Sequence, residues 1–298
     1  MLDVRRLRLL RELAHRGTIA AVAEALSFSP SAVSQQLSTL EAEAGVTLLE
    51  RVGRRVRLTP QAELLVAHTE ILLEQLEQAE AELAETTQDL SGTVRVAAFQ
   101  TAVLSLVPDA LTRLAAGYPR LRVEVTELEP ERSFPALVAR EFDVVLGEEY
   151  PGHPQPRRRE IERHHLVTDE LRLVTPQTWP VTGELAQLAG RPWVMEPVGT
   201  PSREWTTALC RDAGFEPDVR FTSTDLLIHL RLVETGHAAA LLPDLAGAGQ
   251  RPGVRVWRLS GQPVRQVFSA IRRGAGRHPA LGALERAIAD AGKTQSGV

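Results

Sequence analysis

The 298-residue chain has a single cysteine, Cys210, and a single lysine, Lys293. One thiol cannot form an intramolecular disulfide, so a reducing compartment is expected and a two-cysteine redox switch within the chain is excluded. No stretch approaches the ~18 consecutive apolar residues that span a bilayer. The N-terminal MLDVRRLRLLRELAHRG is charged throughout, unlike the apolar core of a signal peptide. The expectation is a cytoplasmic protein with no membrane partner. Catalytic signatures are missing too: there is no Gly-x-Ser-x-Gly elbow, no Gly-x-x-x-x-Gly-Lys phosphate loop and no Gly-x-Gly-x-x-Gly after a strand. No enzymatic activity, cofactor or metal site is therefore expected. His164-His165 invites a metal reading, but no cysteine or acidic partner sits at ligand spacing, and a surface pair beside Arg157–Arg159 is the simpler reading.

What is present is ordinary in bulk and uneven in distribution. A hydrophobic fraction of 43% and a charged fraction of 24% are those of a globular protein, and the length suits two domains. The net charge of −4 conceals three regions. Residues 1–59 hold nine arginines against six carboxylates; residues 60–91 hold eight carboxylates and no arginine or lysine. The rest is nearly neutral. A mildly basic head, an acidic stalk and a neutral body imply parts with different neighbours.

In the head, Leu7, Leu10, Leu13 and Ala14 recur at helical spacing up to Gly17, a helix stop. Thr18 is the N-cap of a short helix with Ile19, Val22, Ala23 and Leu26 on one face. After Ser27 and Phe28, Ser29 caps a third helix with Pro30 at its first position. Val33, Leu37 and Leu40 form its buried stripe, while Ser31, Ser34, Gln35 and Ser38 face outward. Two short helices joined tightly, the second with uncharged hydroxyl and amide groups outside, match a helix-turn-helix: Gln pairs with adenine edges, and Ser reaches bases or phosphates. Leu48–Val52 and Arg55–Leu58 flank Gly53-Arg54 as a hairpin, placing Arg54 and Arg55 where they can reach phosphates or a minor groove. The candidate DNA-contacting set is therefore Thr18, Ser29, Pro30, Ser31, Ser34, Gln35, Ser38, Arg54 and Arg55.

Residues 18–60 resemble the winged helix-turn-helix of LysR-type transcriptional regulators. The resemblance rests on Leu26, Ser29, Ala32, Val33, Ser34, Gln36, Leu40, Glu41, Gly45, Leu48, Arg51, Leu58 and Thr59, in register without gaps. Departures are small: Ala20 and Val22 stand where Thr and Ala are frequent, Leu49 where Phe is, and Gln61-Ala62 follows Thr59-Pro60 in place of Ala-Gly. The resemblance implies that Leu40-Glu41 and Gly45 set the turn from the recognition helix into the wing. It also implies double-stranded operator DNA and a small-molecule effector as partners.

From Pro60 to Leu90 nothing breaks a helix. Leu65, Thr69, Leu72, Leu76, Ala79, Leu83, Thr86 and Leu90 alternate steps of four and three, a heptad seam imperfect at Thr69 and Thr86, with glutamates on the other faces. Leu65, Leu72, Leu76 and Leu83 are its candidate dimerisation residues. The resemblance implies pairing through this helix, as a homodimer or homotetramer. An intramolecular linker is the alternative. Ser91-Gly92 punctuates the chain.

Beyond Gly92 strands and helices alternate. Strands are expected at 94–99, 121–128, 143–147, near 171–175, 192–196, 218–223 and 238–243, with helices near 103–116, 133–142, 202–213 and 225–235, which implies a parallel or mixed α/β sheet. Such sheets bind ligands where strands end and helices begin. The candidate effector contacts are accordingly Phe99, Gln100, Thr101, Glu129, Thr200, Ser202, Ser223 and Thr224; plain N-capping by Thr101, Thr200 and Thr224 is the alternative. Gly92-x-Val94-Arg95-Val96, Tyr118-Pro119, Asp143, Gly236-x-x-Ala239 and Leu242-Pro243 resemble the effector domain of the same family. The expected fold class is thus α/β with an N-terminal, mainly α winged helix-turn-helix, and a two-lobed effector domain like periplasmic binding proteins. The expected organisation is 1–59 DNA-binding, 60–91 linker, and 92–298 effector-binding, with lobe one at about 92–163 and 264–298 and lobe two at about 164–263. A solute-binding protein is the rival reading for the body alone; the head argues against it.

Overall fold

The structure, a computed structural model, describes the chain except residues 27, 53, 54, 87, 88 and 296–298, and leaves aside the side chains of 51, 52, 55 and 295. The head comprises α1 (Val4–Arg16), α2 (Ile19–Ala25), α3 (Pro30–Ala44) and the antiparallel pair β1 (Leu49–Val52) and β2 (Arg55–Leu58). Its caps are those the sequence names: Thr18 Oγ1 accepts from Ala21 N at 3.1 Å and Ser29 Oγ from Ala32 N at 3.1 Å. Gly45 ends α3 at φ +68°, a left-handed conformation that a side chain would strain. Glu41 then accepts from the backbone N–H of Leu48 and Leu49 at 2.8 and 3.0 Å, fixing the wing to the recognition helix. Leu7, Leu10, Leu13, Val22, Val33, Leu37, Leu40 and Leu48 are all buried in one core, each leucine contributing about 1.5–3 kcal/mol through the water its side chain no longer contacts.

Two features of α1 differ from the simple stripe. Ala14 is exposed, while Leu9, Arg11 and Glu12 are buried. Leu9 joins the core of the head, while Arg11, beside Glu12, bonds the Val138 carbonyl of the body, so α1 is covered on two faces.

Helix α4 (Pro60–Glu85) starts at Thr59, whose hydroxyl both accepts from Ala62 N at 3.2 Å and donates to the Thr47 carbonyl at 2.9 Å. Its buried stripe is Ala62, Val66, Thr69, Leu73, Glu77 and Ala81, turned toward the head and body of its own chain. Thr69 is 1% exposed and belongs to this stripe, which corrects its assignment to the seam. Leu72, Leu76 and Leu83 stay exposed and Leu65 is half-buried. Leu64 and Ile71 are exposed beside them, so an apolar ridge remains on the outer face.

The body follows the α/β expectation with a mixed sheet. Its elements are β3 (Gly92–Ala98), α5 (Gln100–Ser105), α6 (Val107–Gly117), β4 (Leu121–Glu127), α7 (Pro130–Val138), β5 (Val144–Glu149), β6 (Ile161–Pro176), β7 (Pro192–Met195), α8 (Pro201–Asp212), β8 (Asp218–Thr222), α9 (Leu226–Glu234), β9 (Ala240–Pro243), β10 (Val254–Arg258), β11 (Val264–Arg272) and α10 (Pro279–Gln295). The main sheet runs β10-β6-β11-β5-β3-β4, with β9 also on β6; β3 pairs in parallel with β4 and β5, and the β6 and β11 pairings are antiparallel. β7 and β8 pair in parallel nearby.

The expected strand near 171–175 is the distal end of β6, a 16-residue strand roughly 50 Å long. Its first ten residues pair with β11 and the remainder with β9 and β10. The expected lobe boundary at 163/164 therefore falls inside a continuous strand. The helix expected near 103–116 is two helices meeting at Leu106. The one expected at 133–142 begins earlier, at Pro130, and ends sooner, just before Arg140 at φ +66°. Among the described residues no helix is long and apolar enough to cross a membrane.

Candidate functional site

On the head, Ser31, Ser34, Gln35 and Ser38 are exposed along one side of α3, opposite Val33, Leu37 and Leu40. Thr18, Ser29 and Pro30 are exposed at the N-termini of α2 and α3, so these seven residues share the surface around the two helix starts. Ser29 Oγ also lies 3.0 Å from Ser31 Oγ. Gln36 is different: its side-chain oxygen accepts from Arg6 Nε at 3.0 Å, which ties α3 back to α1. Arg54 lies outside the described residues. Arg55 opens β2, with its side chain among those left aside.

The arginine count of the head overstates its free positive charge. Arg6 pairs with Glu43, Arg16 with Glu12 at 3.0 Å, and Arg11 with Glu12 at 2.5 Å. Burial works to raise Glu12, but Arg11 and Arg16 reverse this and hold its carboxyl below the usual range. Arg8 and Arg11 reach outward to the body instead, donating to the carbonyls of Ala139 and Val138, the latter at 2.8 Å. Charge counting along a sequence cannot separate such internal pairs from groups left for a polyanion.

Those two carbonyls lie at the C-terminal end of α7. The other end of α7, Pro130 and Glu131, lines a cleft of about 170 Å³ together with Glu129, Glu148, Tyr150, Gln155, Glu196, Thr200, Pro201, Ser202 and Thr224. A helix of nine residues, roughly 13 Å, thus connects cleft and head. The cleft lies where β4, β5, β7 and β8 end, as strand-end geometry anticipates.

Its floor is a buried ion cluster. Arg265, 1% exposed, donates to Asp169 Oδ2 at 2.8 Å from Nε, to Thr101 Oγ1 at 2.7 Å, and to Glu148. It also lies 5.2 Å from the Phe99 ring centroid. Burial alone would lower the Arg265 pKa, but Glu148 and Asp169 more than reverse this and hold it above the ordinary value. One guanidinium faces two carboxylates, so negative charge is in excess. Burial pushes the Glu148 carboxyl up despite Arg265, with Asp169 adding to the rise. Burial, then Glu148, raises Glu129, and the same two causes lift Glu196 to about 7.

Of the expected effector contacts, Glu129, Thr200, Ser202 and Thr224 line this cleft, and the rest are placed elsewhere. Thr101 and Phe99, 1% and 4% exposed, are turned inward onto Arg265. Gln100 links the two halves of the body, donating to Asp225 Oδ1 at 2.8 Å and accepting from Leu226 N at 2.8 Å. Ser223 accepts from Asp225 N at 3.0 Å in a local turn. Thr200 does cap α8, accepting from Arg203 N at 3.3 Å, whereas Asp225, not Thr224, caps α9. Sequence reasoning missed Glu148, Tyr150, Gln155 and Glu196. Glu148 directly follows the strand expected at 143–147 and Glu196 ends the one expected at 192–196, so the strand-end rule reached their neighbourhood without selecting them.

A larger cavity, about 420 Å³, lies at the junction of α1, α4 and the body. Its walls are arginines and glutamates that pair with each other: Glu77 with Arg272 at 2.5 Å and with Arg140 at 2.6 Å. His15 Nε2 lies 3.1 Å from Glu160 and 3.6 Å from Glu70. The hydrogen bond from His15 holds the Glu160 carboxyl well down, to about 2. This cavity is a charged seam between parts of the chain, and the cleft is the better small-molecule site. His164, read as a surface residue without an acidic partner, meets Glu285 at 2.9 Å, an ion pair made across 121 positions.

Residues 4–63 match the family model described as bacterial regulatory helix-turn-helix protein, lysR family, and residues 87–293 match the LysR substrate binding domain. The chain belongs to the LysR family. It is a DNA-binding transcriptional regulator with an effector-binding domain, and regulators of this family are not enzymes. Among its relatives, the transcriptional dual regulator GltC of Bacillus subtilis (strain 168) is 28% identical over 256 residues, 84% of each chain. The regulator TcbR of Pseudomonas sp. (strain P51) is 25% identical over 286 residues, 94% of this chain and 96% of TcbR. The fold matches full-length OxyR from Pseudomonas aeruginosa with a TM-score of 0.67 at 22% identity, covering 97% and 95% of the two chains. It matches full-length CbnR complexed with its target DNA with a TM-score of 0.55 at 22% identity, covering 96% and 100%. The α3 surface and the cleft of this LysR-family regulator lie within the two matched segments.

Proposed function

We propose that this cytoplasmic regulator reads operator DNA with Ser31, Ser34, Gln35 and Ser38, supported at the helix starts by Thr18, Ser29 and Pro30 and from the wing by Arg54 and Arg55. The observation that carries this is the uncharged donor–acceptor face of α3, exposed along the helix while its opposite side is buried. Gln35 supplies the bidentate base contact, and the serines position the helix on phosphates and base edges.

Residues 1–59, 60–91 and 92–298 act as head, linker and effector-binding body. The ridge Leu64, Ile71, Leu72, Leu76 and Leu83 on α4 is covered by the same helix of a second copy. Its seven- and four-residue steps suit helix pairing, and apolar side chains in such a row are stabilised by leaving water. A homodimer is the smallest unit, and a homotetramer builds on it. An effector in the cleft, touching Glu129, Thr200, Ser202 and Thr224, shifts the population between two arrangements of the body, and α7 carries the shift to Arg8 and Arg11. The heads then span an interrupted palindrome differently.

Fluorescence anisotropy of the full-length protein with promoter DNA from beside its own gene, at several salt concentrations, tests the reading. Salt-sensitive binding that survives competitor DNA supports it. Binding abolished equally by any DNA removes the sequence-reading role of α3.

A further inference from the structure

We propose that the effector is an organic cation, carrying an ammonium or guanidinium group held by Glu129, Glu148 and Glu196. The inference rests on reading the cleft as the effector site and adds its ligand class. Among the described residues, four glutamates and no arginine or lysine line the pocket. Arg265, beneath Glu148, is already shared between Glu148 and Asp169, and Arg203 and Arg163 bond the backbone carbonyls of Glu196 and Gln155. An anionic ligand would enter a cleft lined by carboxyls, with Glu148 and Glu196 partly buried and Glu129 and Glu131 at its exposed rim, and would add to their mutual repulsion. A cation relieves that repulsion and gains charge-assisted hydrogen bonds.

Two observations choose an organic cation over a metal ion. Among the described residues, the only set of three potential ligands whose atoms lie within 4.8 Å of one another is His15, Glu70 and Glu160, away from the cleft. The cleft carboxylates are too dispersed to surround one ion at 2.0–2.6 Å bond lengths. The pocket of about 170 Å³ has room for a small molecule, and Thr200, Ser202 and Thr224 add hydroxyls for its remaining polar atoms.

The same crowding of carboxylates predicts proton linkage. Glu196 faces Glu129 and Glu148 in the pocket, with Glu131 and Tyr150 on the same wall, Arg265 below Glu148, and Arg203 bound to the Glu196 carbonyl at 3.1 Å. Burial and these neighbours lift Glu196 to about 7. A bound cation favours its ionised form, so binding releases protons and tightens as pH rises from about 6 to 8.

The test is calorimetric titration of the full-length protein with putrescine, agmatine and L-arginine, set against succinate, L-glutamate and benzoate. At least one of the three cations is expected to bind, more tightly at pH 8 than at pH 6. Glu196→Gln, which keeps the shape, is expected to weaken it about ten-fold, the loss of one charge-assisted bond. Failure of all three cations at millimolar concentration overturns the proposal. So does an anionic probe that binds and is weakened by Ser202→Ala; that outcome keeps the cleft as the effector site and rejects its charge preference. A probe of any class whose affinity ignores both Glu196→Gln and Ser202→Ala removes the cleft reading itself.

Discussion

Replacing Arg265 by Met removes the one cation of a buried cluster while retaining most of the side-chain volume. The residue is 1% exposed and satisfies Asp169, itself 4% exposed, together with Glu148 and Thr101. Without it two carboxylates and a hydroxyl are left facing each other in a desolvated space. Removing one partner of a buried pair costs about 3–5 kcal/mol, because the remaining charge has neither water nor partner. For a body of this size each kcal/mol lowers Tm by about 2–4 °C, so the variant should melt roughly 6–20 °C below the parent.

The loss should also depend on pH. Asp169 and Glu148 already have folded pKa values raised by burial, with Arg265 opposing the rise. Removing Arg265 raises them further. A carboxyl whose folded pKa exceeds its unfolded value favours the fold at low pH and loses that advantage as pH rises between the two. Thermal melts followed by near-UV circular dichroism should therefore show a smaller deficit at pH 5 than at pH 8. Adding Asp169→Asn to Arg265→Met should recover part of the loss. A single variant that melts within about 2 °C of the parent at both pH values, on the scale used above, would refute the view that this cluster braces the cleft floor.

Gln35→Ala is expected to leave the fold intact and to cost about 1–3 kcal/mol of discrimination at one operator position, the worth of a bidentate base contact; unchanged preference in a base-substitution binding series counts against its base-reading role. Leu76→Glu places a charge on the exposed ridge of α4 and should shift the protein toward monomer in light scattering after size exclusion, whereas an unaltered mass would exclude pairing through this face. Gly274→Ala should loosen α4 from the body, since φ there is +90° and a Cβ would lie 2.5 Å from the Glu74 carbonyl oxygen. That variant is expected to lose about 1–3 kcal/mol, the usual cost of overpacking, and to exchange amide hydrogens faster across 70–80.

The head was legible because its signals are local. Thr18, Ser29 and Gly45 cap or end helices within a few residues of themselves, and Val33, Leu37 and Leu40 follow one helical period. The stalk was half legible: Leu72, Leu76 and Leu83 do share an outer face, but Thr69 turned inward because α4 also packs on the head and body of its own chain. β6 was not read as one strand, because its 161–170 stretch carries four charged residues and two histidines, several of whose partners lie far along the chain, on β5, β11 and α10. The inward turn of Phe99 and Thr101 had no local signal at all. It depends on Arg265, 164 positions beyond Thr101. Side chains that serve distant partners are invisible to periodicity, and the cleft is built largely from them.

The contact between the head and α7 is made by arginines on backbone carbonyls, those of Val138 and Ala139, and so does not depend on which side chains α7 carries. With the cleft as the proposed effector site, its end of α7, Glu129 to Glu131, can change for a new chemical signal without altering the contact between α7 and the head. The same separation offers a route to biosensor engineering: exchanging the cleft residues while leaving 138–139 and the α1 arginines in place should change what the molecule detects and preserve how it reports.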